Sequence, residues 1–181
     1  MKRTVALLFL LAFCSATAMQ AQAPKPGPEV KKLHAAVGHW TFDGEVKPGP
    51  LGSGGKITGE ANVRMILGGF FLQNQQSGKI AGIETRLLEI DGYDPVNKNF
   101  SSEFYLDDGS RFSGVLSITG NTWTYAGKFV TAGKQYHYKA TFAGGPDLAI
   151  WTYKDQLSPD GEKWTPLYDL KFTKVSPAPK K

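Results

Sequence analysis

The residues that could do chemistry in this 181-residue sequence are histidines, which could bind a metal ion, carboxylates, which could act as general acids or bases, and one cysteine. None of the histidines, His34, His39 and His137, lies three or four residues from another, as in a helical metal site. No nucleophile elbow, phosphate loop or dinucleotide-binding motif occurs. We therefore expect no metal, no cofactor and no catalytic residue. An enzyme of isomerase or hydrolase type is a further alternative, which no set of residues here requires.

Most of the carboxylates are explained by turns. Asp107 and Asp108 precede Gly109, and Asp91 and Asp94 lie on either side of a predicted turn. Carboxylates in turns are solvated, so these four are not expected to act as general acids or bases.

Glu84 and Arg86 are harder to interpret, because they share one face of a predicted strand over residues 83–90. If that face points inward, the pair could contact the polar group of a ligand. If it points outward, the pair is a surface ion pair worth under about 1 kcal/mol. The outward alternative is favoured, since Thr85 and Leu87 can fill the inward face.

The elements that must position these residues are β-strands. Alternating apolar and polar residues, interrupted every eight to fifteen residues by Gly, Pro, Asn or Asp, predict about ten strands joined by hairpin turns. A parallel crossover needs a helix of about a dozen residues, and none is predicted between the strands. The sequence thus predicts an all-β fold, an antiparallel up-and-down β-barrel with a short helix before it, at residues 29–37. The predicted strands are 39–47, 55–67, 70–77, 83–90, 98–106, 111–118, 122–131, 135–142, 148–156 and 164–174.

Large aromatic residues share one face of several strands, and polar residues share the other. The aromatic faces are expected to line the interior, where they could bind a small, largely apolar molecule under a flap formed by residues 49–55. The alternative is a barrel filled by its own side chains that serves as a structural or protein-interaction module of the cell envelope. The expected ligand contacts are Trp40, Phe42, Met65, Phe104, Trp123, Tyr125, Tyr138 and Trp151.

The amino terminus has the features of a secretory signal peptide, predicted over residues 1–21. Lys2 and Arg3 precede an apolar run over residues 5–13, which is shorter than the roughly 20 residues of a spanning helix, and small residues follow it. We expect a linker over 22–28, one domain over 29–175 and an unstructured tail over 176–181. The protein is predicted to be exported to the periplasm or the medium.

Cys14, the only cysteine, lies in that predicted signal peptide. Phe13 occupies a position where a lipoprotein signal has a small residue, so a lipid anchor is not expected. Cleavage after Ala18, Ala21 or Ala23 would remove Cys14 and leave a chain without a disulfide.

The charge of the chain excludes one class of partner. Removing Lys2 and Arg3 with the signal peptide would lower the formal net charge from +5 to about +3, and no arginine cluster or basic run follows. Nucleic acid is therefore not an expected partner. We expect a monomer or weak dimer without a transmembrane segment in the mature chain.

The opening Gly38-x-Trp40 resembles that of lipocalins, fatty-acid-binding proteins and other calycin barrels. This resemblance implies that Trp40 closes one end of the barrel, with Lys171 or Lys174 packed across it. Related haem-binding barrels have a histidine near the end of the domain, and residues 167–175 contain none, which disfavours haem.

The chain is more closely similar to the DUF1579 family of bacterial domains of unknown function. The similarity lies in Gly38-x-Trp40, in the Gly-Gly-Phe sequence within residues 66–72 and in Gly92-Tyr-Asp-Pro95, and it extends over roughly residues 34–174. It implies a calycin-like barrel with no established activity.

Overall fold

The computed structural model describes residues 24–50 and 52–175, and this part of the chain forms ten strands and two short 3-10 helices. The predicted signal peptide and the predicted tail lie outside the described residues, so both stay predictions. The strands are β1 (Gly38–Val46), β2 (Gly55–Ile66), β3 (Phe71–Ile80), β4 (Ile83–Asp94), β5 (Asn99–Leu106), β6 (Arg111–Thr119), β7 (Thr122–Thr131), β8 (Lys134–Gly144), β9 (Ile150–Ser158) and β10 (Thr165–Lys174).

The ten strands close into an antiparallel up-and-down barrel. Each strand pairs with the next along the chain, and β1 closes the ring by pairing with β10, with Trp40 opposite Lys174. The predicted fold class is confirmed. Short turns suffice for every connection, because antiparallel neighbours need no crossover helix.

Side chains alternate between the interior and the outer surface, as the sequence predicts. In β7, Trp123, Tyr125 and Phe129 are buried, whereas Thr122 and Thr124 are exposed. Buried apolar side chains from nine of the ten strands form one core cluster inside the barrel, and partly buried Leu87 and Tyr93 of β4 pack against it. Burial of one large aromatic side chain contributes about 1.5 to 3 kcal/mol, so this cluster is the main source of stability.

The Phe112 ring lies against the barrel wall at a position where two neighbouring residues are glycines. Gly114 and Gly127 are opposite each other in the β6–β7 ladder. A Cβ atom at Gly114 would lie 2.6 Å from Cζ of Phe112, and one at Gly127 would lie 2.9 Å from its Cε2. The ring can therefore lie against the backbone only where both neighbours lack a side chain.

One end of the barrel is closed by the first 3-10 helix, Val30–Ala36. Val30 and Leu33 are buried, and the Trp40 indole N–H donates a hydrogen bond of 2.8 Å to the Ala36 carbonyl. The Lys174 Nζ atom lies 5.1 Å from the centre of the Trp40 ring. Lys174 therefore has the role that the sequence left open between Lys171 and Lys174, and the predicted helix is a 3-10 helix.

Strand β4 is longer than predicted, and this corrects the interpretation of Asp91. The strand extends to Asp94, so Asp91 is not beside a turn but within the strand, fully buried. The turn begins at Asp94, whose Oδ1 accepts hydrogen bonds from the N–H groups of Val96 and Asn97, at 2.8 and 3.1 Å. The prediction of a turn carboxylate is thus wrong for Asp91 and confirmed for Asp94.

Within the described ranges, no helix combines the length and the apolar character that crossing a membrane would require.

Candidate functional site

The barrel contains a cavity of about 130 Å³ whose wall is mostly apolar and aromatic. Of the eight predicted ligand contacts, the residues that line this cavity are Trp40, Phe42, Phe104, Trp123, Tyr125 and Tyr138. Met65 is half-buried beside the core, and Trp151 is fully buried behind the cavity wall. Trp151 stacks on Phe142 with ring centres 4.6 Å apart, and Phe142 lines the cavity. The structure thus brings six of the eight together, and their contact with a ligand stays a prediction.

The predicted polar contacts, Glu84 and Arg86, are both exposed, as the outward alternative predicts. Glu84 does not line the cavity. Arg86 does, together with Thr85 and Leu106 near the β3–β4 hairpin. Because Arg86 is both exposed and adjacent to the cavity, this end of the cavity lies close to solvent.

The first polar group of the cavity wall comes from three adjacent strands. We call Asn74, Glu89, Asp91 and Ser102, from β3, β4 and β5, the acidic wall. The Asn74 amide donates a hydrogen bond of 2.8 Å to Oε2 of Glu89. Asp91 is opposite Ser102 in the β4–β5 ladder, and both are fully buried.

Several atoms of the acidic wall have no hydrogen-bond partner. They are both carboxyl oxygens of Asp91, Oδ1 of Asn74 and Oγ of Ser102. Asn74, Glu89 and Asp91 line the cavity, so unused acceptor atoms border the space that a ligand would fill.

Burial dominates the protonation of the acidic wall. It raises the pKa of Glu89, while the Asn74 amide and the Tyr125 hydroxyl act in the opposite direction. Burial and the nearby Glu89 charge raise the pKa of Asp91 well above its ordinary value, against the opposite effect of the Ser102 hydroxyl. Both effects disfavour the charged carboxylate, since an ion loses its hydration inside the barrel and two like charges repel.

The second polar group of the cavity wall consists of Asp155, Tyr138 and Tyr153. We call it the Asp155 cluster. Oδ2 of Asp155 accepts hydrogen bonds from the hydroxyls of Tyr138, at 3.1 Å, and Tyr153, at 3.3 Å. The two hydroxyls are also in hydrogen-bond contact with each other, and since each has one proton, the third of these contacts requires the proton of a neutral Asp155. Oδ1 accepts the Tyr168 backbone N–H at 2.7 Å.

Burial raises the pKa of Asp155 to about 7, even though the hydrogen bonds from Tyr168, Tyr138 and Tyr153 favour its charged form. Burial followed by the Asp155 charge raises the pKa values of Tyr138 and Tyr153 well above 10. These tyrosines therefore stay protonated and act as hydrogen-bond donors. In contrast to Asp91, Asp155 finds its partners within the chain.

The sequence interpretation missed Glu89, Asp91 and Asp155 as interior residues. The signal for the first two was present, because Thr85, Leu87, Glu89 and Asp91 lie two residues apart on one face of β4. A charged residue at the end of an apolar series normally indicates the end of a strand. For this reason the sequence pattern did not indicate that Glu89 and Asp91 face the interior.

The histidines lie away from the cavity. His34 and His39 are exposed, and His39 Nε2 lies 3.3 Å from Glu60 Oε2 on the outside. His137 is half-buried and contacts Lys128 Nζ on the outer surface, at 3.1 Å from Nε2. In the part of the chain that the structure covers, no three His, Cys, Asp or Glu side chains are grouped so that they could hold a metal ion.

The family model described as "Protein of unknown function (DUF1579)" matches residues 25–165. The crystal structure of Rv2717c from M. tuberculosis is similar in fold, with a TM-score of 0.62 and 14% sequence identity over 84% of this chain and 100% of that chain. At this identity the likeness concerns the fold alone. No curated protein matches this chain.

Proposed function

This chain belongs to the DUF1579 family of proteins of unknown function, so we infer its role from its own barrel. We propose that it is an exported protein that binds a small, largely apolar molecule in the barrel interior.

The cavity is the observation that carries this proposal. A volume of about 130 Å³ is close to that of an engineered apolar cavity of roughly 150 Å³ that takes up benzene. Its lining of Trp, Phe and Tyr rings with a few polar groups is typical of small-molecule sites. These features favour a ligand whose apolar body is about the size of one aromatic ring.

The alternative function is a barrel that acts through its outer surface and holds nothing inside. Native mass spectrometry of the protein purified from its own host separates the two. A reproducible adduct, identified after extraction, is the result we expect. A clean apo mass, together with no uptake of toluene followed by nuclear magnetic resonance, would contradict the proposal.

Two substitutions of alanine by leucine test where the ligand binds. Ala61 is buried and lines the cavity, whereas Ala126 is exposed on the outer surface of β7. Ala61→Leu fills part of the cavity, and we expect it to weaken toluene binding at least ten-fold. Ala126→Leu adds the same atoms outside and should leave the affinity unchanged.

Export is a separate part of the proposal and rests on the sequence of residues 1–21. We expect the protein from its native host to begin just after Ala18, Ala21 or Ala23 and to be found outside the cytoplasm. Amino-terminal sequencing of the fractionated protein measures both, and an intact Met1 in the cytoplasmic fraction would contradict export.

A further inference from the structure

Asp91 is the most unusual residue of the cavity wall, because it is fully buried and neither carboxyl oxygen has a hydrogen-bond partner. Buried polar groups in folded proteins nearly always have partners, and an unpaired one disfavours the folded state. Oδ1 of Asn74, on the neighbouring strand, also has no partner. The acidic wall therefore presents several unused acceptors to the cavity.

Among the described residues, no buried positive charge matches them. The buried polar and charged residues of the described ranges are three carboxylic acids, Glu89, Asp91 and Asp155, with three serines and a threonine. Of the described residues that line the cavity, Arg86 alone is basic, and it is exposed. A cation beside Asp91 would have to come from the ligand.

Asp155 is a buried carboxyl group of the same barrel that does have hydrogen-bond partners. Each oxygen of Asp155 accepts hydrogen bonds from the chain itself. In the acidic wall, Glu89 accepts a hydrogen bond from the Asn74 amide and lies near the Tyr125 hydroxyl, whereas Asp91 has only the Ser102 hydroxyl nearby, outside hydrogen-bond geometry. The unused capacity of the cavity for hydrogen bonding is thus concentrated on one side.

We propose that the acidic wall binds the ammonium group of a primary amine whose apolar body occupies the rest of the cavity. This inference rests on the proposed function and adds the chemical class of the ligand. An ammonium group has three donors and no acceptor, which suits a wall of unused acceptors. Glu89 and Asp91 are two residues apart on one face of β4, about 7 Å between Cα atoms, so both carboxyl groups border the same side of the cavity.

The remaining wall is compatible with such a ligand. Phe104, Trp123 and Tyr125 line the same cavity, and the faces of aromatic rings attract cations. Burial and mutual repulsion disfavour charge on both Glu89 and Asp91, and a bound cation would relieve both effects.

The test is a titration of the mature protein at pH 7.5 with benzylamine, benzyl alcohol and toluene, followed by ligand-observed nuclear magnetic resonance. The three probes share one ring and differ in the group that would face the acidic wall. We expect benzylamine to bind at least ten-fold more tightly than benzyl alcohol. Asp91→Asn and Glu89→Gln should each remove most of this preference, measured as the ratio of the benzylamine and benzyl alcohol affinities of the same variant. Asp107→Asn, at an exposed turn, is the matched control and should keep the preference.

The outcomes separate the two proposals. Toluene binding without a preference for benzylamine would overturn the amine site and leave the proposed function standing. Failure of all three probes to bind would overturn both. If Asp91→Asn does not fold, Glu89→Gln and the ratio of the two affinities in the unmodified protein decide the question.

Discussion

The Tyr138 hydroxyl donates a hydrogen bond of 3.1 Å to Oδ2 of Asp155 inside the barrel. This contact holds a carboxyl group in a place where burial raises its pKa to about 7. Asp155 therefore changes its charge near neutral pH, and the stability of the barrel has to depend on pH in that range.

We expect the free energy of unfolding to fall as the pH rises from about 4 to about 7. In that window Asp155 is protonated in the folded protein and ionised in the unfolded chain, whose Asp pKa is about 3.9, so rising pH favours unfolding. The size of the effect is on the order of 4 kcal/mol, and Glu89 and Asp91 add to it with the same sign. Urea denaturation at pH 5 and pH 8 measures it.

Asp155→Asn should reduce this pH dependence, because the amide keeps the shape of the side chain without ionising. Asp107→Asn, on the outside, should not alter it. Equal stability of the unmodified protein at pH 5 and pH 8 would contradict a buried Asp155 with a raised pKa.

Tyr138→Phe should raise the pKa of Asp155 above about 7, since the Tyr138 hydroxyl stabilises the charged carboxylate. The carboxyl carbon resonance of Asp155, assigned with the Asp155→Asn variant, reports this in a nuclear magnetic resonance titration. Tyr105→Phe removes a hydroxyl from an exposed side chain and should have no effect. A lower pKa in Tyr138→Phe would show that the hydroxyl does not donate to Asp155.

Lys174→Ala should destabilise the protein by about 1 to 2 kcal/mol, because it removes the cation from the face of Trp40 at the closed end. Lys171→Ala is the matched control. Lys171 is exposed on the same strand, and its loss should change the free energy of unfolding by no more than about 0.5 kcal/mol. Equal effects of the two substitutions in urea denaturation would argue against the role of Lys174.

Gly127→Ala should destabilise the protein by about 1 to 3 kcal/mol through overpacking. Its Cβ would lie 2.3 Å from the Ser113 carbonyl oxygen, so the backbone of β6 or β7 has to move. At Gly27, before the first helix, a Cβ meets nothing within 4 Å, and Gly27→Ala should be nearly neutral. Thermal unfolding compares the two, and a neutral Gly127→Ala would show that the wall is not closely packed there.

The sequence was sufficient to predict the barrel, because two independent signals agree along most of it. Alternation assigned Trp123 and Tyr125 to the interior, and turn residues such as Gly120 and Gly133 marked where strands end. Trp40 was placed at the barrel end by its resemblance to other barrels, and the contact with Lys174 confirms this.

The polar part of the cavity could not be predicted in the same way. Asp91 and Asp155 break the rule that carboxylates lie outside, and no local feature reveals that they are buried. The partners of Asp155 also depend on a register shift between Pro166 and Asp169 in β10, where Tyr168 directs its N–H to the carboxyl group. Such a shift is a property of the pairing of two strands and cannot be read from the pattern of one strand.

Closure of the ring also determines the order in which the barrel can fold. In the described part of the chain, every strand pairing joins sequence neighbours except that of β1 with β10. A pairing between the two ends of the domain carries the largest loop-closure entropy, so β1 and β10 are expected to join last. A circular permutant that links the two ends and opens the chain at Gly120 would make this pairing local and place β6 and β7 at the two ends of the chain, so in its refolding β6 and β7 are expected to join last.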